Sequence, residues 1–247
     1  MQTVKDLRAV FSACLPGQVA ATPRDRALWV GVARLRDWQP WRHQAAELLD
    51  DSERDRAMRK RRPVDQEALV LCYALHRLFV AAWMGVDAAE VPLGRDGEGR
   101  PVVRGSGLST SLSHAEQAVA FAVCAGGSVG VDIEGEHRAS TLEEIADRIC
   151  HPLELLAMTD LSAPARHVEL LKLWVRKEAY LKAVGVGLAW EMSSFAASAD
   201  ALLPLHEGRT GRVMLSEISA LPGHTIAAAG PGDARIVPFL LEPGQSG

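Results

Sequence analysis

Cysteine is scarce in this chain: Cys14, Cys72, Cys124 and Cys150 are the only four in 247 residues, and no two form a Cys-x-x-Cys pair. Scattered in this way they read as reduced thiols of a cytosolic protein rather than a disulfide framework. Positive charge is not in excess either. The formal net charge is −4 and aromatic residues make up 5%, so no global basic field argues for nucleic acid. The longest apolar stretch, Ala118 to Val131, is interrupted by Gly126, Gly127 and Ser128 and is too short to span a bilayer. Near the start, Lys5, Asp6 and Arg8 stand among apolar side chains, without the apolar core of a signal peptide, so neither export nor a membrane is expected. No glycine-rich loop of the kind that cradles phosphates is present. What remains is an ordinary globular composition, 48% hydrophobic and 23% charged, long enough for one large domain or two modest lobes.

Two segments carry charges where packing calls for apolar side chains. In Trp174-Val175-Arg176-Lys177-Glu178-Ala179-Tyr180-Leu181-Lys182, read as a helix, Leu171, Trp174, Val175, Glu178 and Lys182 share one face. A half-buried carboxylate there needs a cation, a donor or a metal. Lys182, one turn on, is one available partner, and a core-edge Glu–Lys salt bridge is the plain alternative. Some forty residues earlier, Ser128-Val129-Gly130-Val131-Asp132-Ile133-Glu134 alternates strictly. Val129, Val131 and Ile133 point one way as a strand, with Gly130, Asp132 and Glu134 on the other face. The preceding run, Ala118 to Cys124, also reads as a strand, and Gly126-Gly127 between the two predicts a hairpin. Two carboxylates two residues apart repel unless something positive lies between them. A hard divalent ion such as Mg2+ suits, and a solvent-facing acidic edge strand is the alternative.

Together, Gly130-Val131-Asp132-Ile133-Glu134 and the Trp174 to Lys182 segment resemble the paired signature of the 4′-phosphopantetheinyl transferases. The length is similar to the long, single-chain Sfp-type branch. The resemblance implies an α+β fold of two similar α/β lobes with pseudo-twofold symmetry and the active site in the cleft between them. Here the lobes would be residues 1–115, with the coenzyme A phosphate contacts, and 116–247, with the metal-binding acids and the signature helix. It implies transfer of the phosphopantetheine arm of coenzyme A to a serine of an apo acyl, peptidyl or aryl carrier protein, with release of 3′,5′-adenosine bisphosphate. The cofactor would be Mg2+, with Mn2+ a substitute, held by Asp132, Glu134 and Glu178. Glu178 and Lys182 would be catalytic, Glu178 taking the serine proton and Lys182 touching the pyrophosphate. A cytoplasmic monomer, with no nucleic-acid or membrane partner, is expected.

The same resemblance assigns coenzyme A contacts. Gly99-Arg100-Pro101 resembles the family's Gly-Lys-Pro, with Arg100 keeping the charge. Ser111-Leu112-Ser113-His114 resembles its Ser-His element, with His114 on a phosphate, assisted by Ser113. Arg54 and Arg56 align best from the basic cluster Arg54, Arg56, Arg59, Lys60, Arg61 and Arg62. Lys177, about a quarter-turn round its helix from Glu178, is a further candidate phosphate contact, with a solvated side chain as the alternative. A solvated helix face is the alternative for most of that cluster. Two positions depart from the family pattern. Val175 stands where Ser, Thr or Cys is common, and Ala68 stands near the place of a customary Arg, so that one phosphate contact is either missing or supplied by a neighbour such as Arg61 or Arg62. Glu154, after His151-Pro152, matches a recurrent acid for which a supporting role is expected. The alternative from another class is a non-catalytic coenzyme A or carrier-binding module; it would be expected to have lost Asp132, Glu134, Glu178 or Lys182, and all four are present.

Along the chain, strands are expected at Ala27–Leu35, Arg212–Ile218 and Thr225–Ala229, with a turn from Gly94 to Gly99. A capping box of Ser52 and Asp55 would start a short helix that Pro63 ends. Asp65 would cap a longer helix running to Gly85, and another helix is expected near Leu142 to Ile149.

Overall fold

The computed structural model describes residues 5–17, 27–186, 190–205 and 210–244. Helix α1 (Leu7–Cys14) precedes strand β1 (Ala27–Arg34), which leads into α2 (Leu35–Trp38), α3 (Arg42–Leu48), α4 (Asp51–Met58) and the long α5 (Pro63–Met84). A hairpin of β2 (Leu93–Arg95) and β3 (Pro101–Val103) follows, then β4 (Leu108–Ala115), β5 (Ala118–Ala125) and β6 (Gly130–Gly135). After a run of tight helical turns come α6 (Ala146–Ile149), α7 (Pro152–Ala157) and the long α8 (Ala163–Val184). Strands β7 (Leu202–Pro204), β8 (Arg212–Glu217), β9 (His224–Pro231) and β10 (Arg235–Leu240) complete the mixed α+β architecture, the class that the resemblance implied.

Two four-stranded sheets, ordered β10-β1-β5-β4 and β6-β9-β8-β7, pack face to face. Leu28, Val30, Val32, Ala120 and Ala122 of the first meet Val131, Ile133, Ile226 and Ala228 of the second. The outer face of the first sheet, with Trp29, Phe121 and Val123, packs with Leu75 and Phe79 of α5. The outer face of the second, with Ala227, Ala229 and Leu215, packs with Val175, Ala179 and Tyr180 of α8. The layers therefore run helix, sheet, sheet, helix. Strands covered on both faces need apolar residues throughout, which is why β1 and β5 are apolar without alternation. Helix α5 is long and apolar enough to cross a membrane by composition, but most of its side chains are buried in the protein. All-round apolarity is what such a core helix requires.

Several local expectations are corrected. Helix α4 is capped by Asp50 with Glu53, a capping box two residues before the expected Ser52–Asp55 pair. Pro63 begins α5 instead of merely ending α4, because a proline fits the first helical turn. Asp65 lies inside that turn, paired with Arg62. Gly85, at φ 67°, ends the helix where expected. The hairpin at Gly126-Gly127 does not form. Both edges of β5 are occupied, by β1 and β4, so the chain crosses there to the second sheet, where β6 pairs with β9. Glu116 sits in the β4–β5 turn, and two strands after it, β5 and β10, complete the first sheet. Strand β10 runs parallel to β1.

Candidate active site

Gly130 is the first requirement of the site. A Cβ there would lie 1.9 Å from the Ala179 carbonyl oxygen and 2.7 Å from the Ala183 amide nitrogen. Only a glycine lets α8 lie backbone-to-backbone on β6. That contact brings the flank of α8 bearing Glu178 and Lys182 alongside Asp132. Strand β4 closes the third side: Ser111 Oγ accepts from the Val131 amide at 3.1 Å, and Ser113 Oγ donates to Asp132 Oδ1 at 2.7 Å.

Lys182 joins these elements. Its ammonium lies 2.6 Å from Asp132 Oδ1, 2.9 Å from Ser113 Oγ and 3.2 Å from the Val131 carbonyl. Its partner is therefore the strand acid, and the intrahelical Glu178–Lys182 bridge is not formed. Ser113 is spent on Asp132 and Lys182, which corrects its assignment to a coenzyme A phosphate. Asp132 Oδ2 is buried with no hydrogen-bond partner. Glu134 is held by Arg138, one turn into the following segment.

Glu178 is half-buried and has no hydrogen-bond partner among the described residues. Its pKa is raised to about 7, first by burial and then by the negative charge of Asp132, with Glu134 adding a little and Lys182 opposing. A carboxyl poised near neutrality is suited to take a proton. His114, on the face of β4 opposite Ser113, keeps an exposed edge. Crowding, and then the charges of Lys60 and Lys182, hold its imidazole below the ordinary value.

Arg100 reaches the site through a second close approach. Gly185, which ends α8 at φ 81°, leaves room that the Arg100 guanidinium fills; a Cβ there would come 1.6 Å from it. Asp96 anchors Arg100 at 2.7 Å. Arg100 and Lys182 line one cavity of about 360 Å³, with Pro101, Ser109 and Thr110. Pro101 also lines a second cavity of about 270 Å³, with Arg95, Arg104 and His76. Arg95 was not singled out in the sequence. It lies 5.3 Å over the Tyr73 ring and donates to the Gly99 carbonyl at 2.7 Å. The positive charge of Arg56 acts on it. Arg95 closes the same Gly94–Gly99 turn that carries Arg100, and that spacing was the available signal.

One further assignment is corrected. Lys177 is fully buried and bonded to Glu154 and three carbonyls, so it cannot touch a coenzyme A phosphate. Arg54 is exposed and pairs with Asp51 at 3.0 Å. Of the basic cluster, Arg56 and Lys60 are the members whose charge reaches site groups, Arg95 and His114 respectively. Arg62 pairs with Asp65 on the surface. Val175 is buried in the α8 core, a packing residue as expected.

Among the described residues no three of His, Cys, Asp and Glu form a ready metal cluster. Asp132 is engaged by Lys182 and Ser113, and Glu134 by Arg138. The donor set nevertheless fits a hard divalent ion. All three acids offer oxygen, one buried Asp132 oxygen lacks a partner, and Glu178 is destabilised as an anion by its neighbours.

Comparison with known proteins agrees with this geometry. Residues 36–131 match the family model described as the 4′-phosphopantetheinyl transferase N-terminal region, and residues 128–222 match that of the 4′-phosphopantetheinyl transferase superfamily. The two matches meet at the entry to β6. The chain is 29% identical over 148 residues to the 4′-phosphopantetheinyl transferase HetI of Nostoc sp., covering 58% of this chain and 62% of that protein. It is 30% identical over 174 residues to a phosphopantetheinyl transferase of Thraustochytrium sp., covering 64% of this chain and 60% of that protein. The chain thus spans less than two thirds of either relative. It belongs to the 4′-phosphopantetheinyl transferase superfamily.

Proposed function

We propose that this protein transfers the 4′-phosphopantetheine arm of coenzyme A to a serine hydroxyl of an apo carrier protein. The observation that carries the reading is Glu178, a carboxyl near neutrality facing the Asp132–Lys182–Ser113 network. In the reaction the serine oxygen bonds to the phosphorus bearing the arm, and the bond from that phosphorus to the bridging oxygen breaks. 3′,5′-Adenosine bisphosphate leaves with the electron pair. Glu178 accepts the serine proton. Lys182 and Arg100, which share a cavity, bind pyrophosphate oxygens. His114 contacts a further phosphate. Arg56 and Arg95, two like charges, suit the monoester 3′-phosphate of coenzyme A.

Asp132, Glu134 and Glu178 would hold Mg2+, or Mn2+ in its place, which when bound neutralises charge on the pyrophosphate. The carrier would be an acyl, peptidyl or aryl carrier. A cytoplasmic monomer serving more than one carrier type is the expected form, with moderate salt dependence, since rim charges mainly tune association.

Incubation with coenzyme A, Mg2+ and a panel of apo-carriers at two salt concentrations tests this, read by the mass gain of each carrier. Modification of carriers from fatty-acid and peptide-synthetase systems is the expected result. No mass gain on any carrier would reject the transferase reading, and an obligate trimer by light scattering would reject the single-chain site.

A further inference from the structure

Lys177 has no exposed surface. Its ammonium meets the Ile149 carbonyl at the end of α6 at 2.8 Å and Glu154 Oε2 in the first turn of α7 at 2.6 Å. It also meets the carbonyls of Met192 and Phe195, each at 2.8 Å. Glu154 extends the junction: Oε2 accepts the His151 amide at 2.7 Å and Oε1 the Ala197 amide at 2.7 Å. One buried ion pair thus fastens α6, α7 and the 192–197 segment to α8. Phe195 lies under the ammonium at 5.0 Å and packs on Tyr180 of α8, with ring centroids 5.0 Å apart.

Burying an ion pair costs several kcal/mol in desolvation, and apolar residues of similar volume often serve stability as well or better. What apolar residues cannot supply is directional bonding at several fixed oxygens. The far side of α8 shows where direction is needed. Ala179 and Ala183 rest on Gly130 backbone-to-backbone. A contact without a side chain sets the distance between helix and strand but provides no ridge against rotation about the helix axis. At about 100° per residue, Lys177 lies some 200° from Ala179, opposite that smooth contact. Glu178 lies between them, and Lys182 is one turn beyond on the same flank. A small rotation of α8 would carry both away from Asp132.

We propose that Lys177, clamped by Glu154, is a positioning residue that fixes the rotation of α8 and so holds Glu178 and Lys182 against Asp132. The kinetic readout rests on the transferase reading; the wild-type rate tests that reading, and the ratio of variant to wild type tests this one. Three variants decide it: Lys177→Met, Glu154→Gln, and the two combined. Lys177→Met leaves Glu154 buried and unpaired and should melt well below wild type. The double variant carries no buried charge, and the side-chain amide introduced by Glu154→Gln still accepts from the Ala197 backbone, so its melting temperature should recover most of the loss. Its kcat should stay roughly tenfold to a hundredfold below wild type, the scale of a slightly misplaced catalytic group. The KM for coenzyme A should change less than about twofold, because no phosphate contact is lost. Recovery of kcat together with melting temperature would reduce the pair to a structural role and overturn the proposal. A raised KM with kcat unchanged would restore Lys177 as a coenzyme A ligand and overturn it equally. Should the methionine variants not fold, Glu154→Gln alone, which keeps Lys177 and its carbonyl contacts, decides: kcat falls with KM unchanged, or a kcat within about twofold of wild type refutes positioning.

Discussion

Lys182 Nζ stands 2.6 Å from Asp132 Oδ1, bridging helix α8 to strand β6, while Glu178, one turn back on the same helix, is left without a hydrogen-bond partner among the described residues. The cation is thereby spent on the more deeply buried acid. The consequence is a division of labour between two carboxylates of one site. Asp132 is paired with a lysine and a serine, and the pKa of Glu178 is raised to about 7 by burial and by Asp132 itself. Two acids in different environments let a single site supply both a paired carboxylate and a proton acceptor.

Activity is expected to require a divalent ion and an intact Asp132. Chelation should abolish turnover and Mg2+ or Mn2+ should restore it. Asp132→Asn, which keeps the shape but weakens ligation, should cost roughly two or more orders of magnitude in rate. Full turnover in excess chelator would sink the metal assignment.

Glu178→Gln should lower kcat by roughly two or more orders of magnitude, since an amide cannot take the serine proton. Stability should move the other way. The folded pKa, about 7, lies above the ordinary 4.5, so the contribution to folding from protonated Glu178 is full below the unfolded value and is lost as pH rises through about 7. In chelator at about pH 8 the glutamine variant should therefore melt higher than wild type, and the gap should close towards about pH 4.5. Melting curves across that range check the sign; an unchanged gap would mean Glu178 is not buried as an anion.

Arg100→Ala and His114→Ala should raise the KM for coenzyme A by about tenfold or more, with a smaller effect on the KM for the carrier. A charged hydrogen bond to phosphate is worth about 1.5–3 kcal/mol. Arg95→Ala should behave like them, and Arg54→Ala should have a smaller effect, since Arg54 is exposed and pairs with Asp51. Titration of coenzyme A at saturating carrier distinguishes the two groups.

Gly130→Ala should destabilise the protein by ~2 kcal/mol or more and remove activity together with it. The added methyl has only backbone to meet, at 1.9 Å and 2.7 Å, so α8 must lift from β6. Chemical denaturation measures the loss; a variant of wild-type stability would show that the helix can shift at no cost.

Strands β1, β5, β6, β8 and β9 and the two long helices were legible in the residues, because period and end signals are local, whereas β7 and β10 were not expected. Gly85 stops α5 where its left-handed conformation is required, and the alternation of Val129 to Glu134 placed Asp132 and Glu134 on one face. Pairing was not legible. Gly126-Gly127 has the chemistry of a tight hairpin, but whether it makes one depends on whether β5 has a free edge, and β1 and β4 leave it none. Caps slipped for a related reason: Asp50, Asp51, Ser52 and Asp55 all offer oxygens near one helix start, and the box that forms is the one whose Glu53 can also meet buried Arg77.

The sequence by itself determined which chemical groups are available and on which faces of their elements they lie: an acid pair on a strand, Glu178 and Lys182 on a helix, Arg100 and His114 in the segments before. It determined this because side-chain direction follows backbone period within one element. Only the tertiary structure decided who meets whom. Lys177 and Lys182 are the same residue type five positions apart on one helix. One has its ammonium locked among Glu154 and three carbonyls, and the other reaches across to Asp132. The difference comes from what packs on opposite sides of α8, a second sheet at Gly130 and the returning 192–197 segment. Those contacts join residues far apart in the chain, so the burial and pairing that set each group's charge are not encoded in its neighbours.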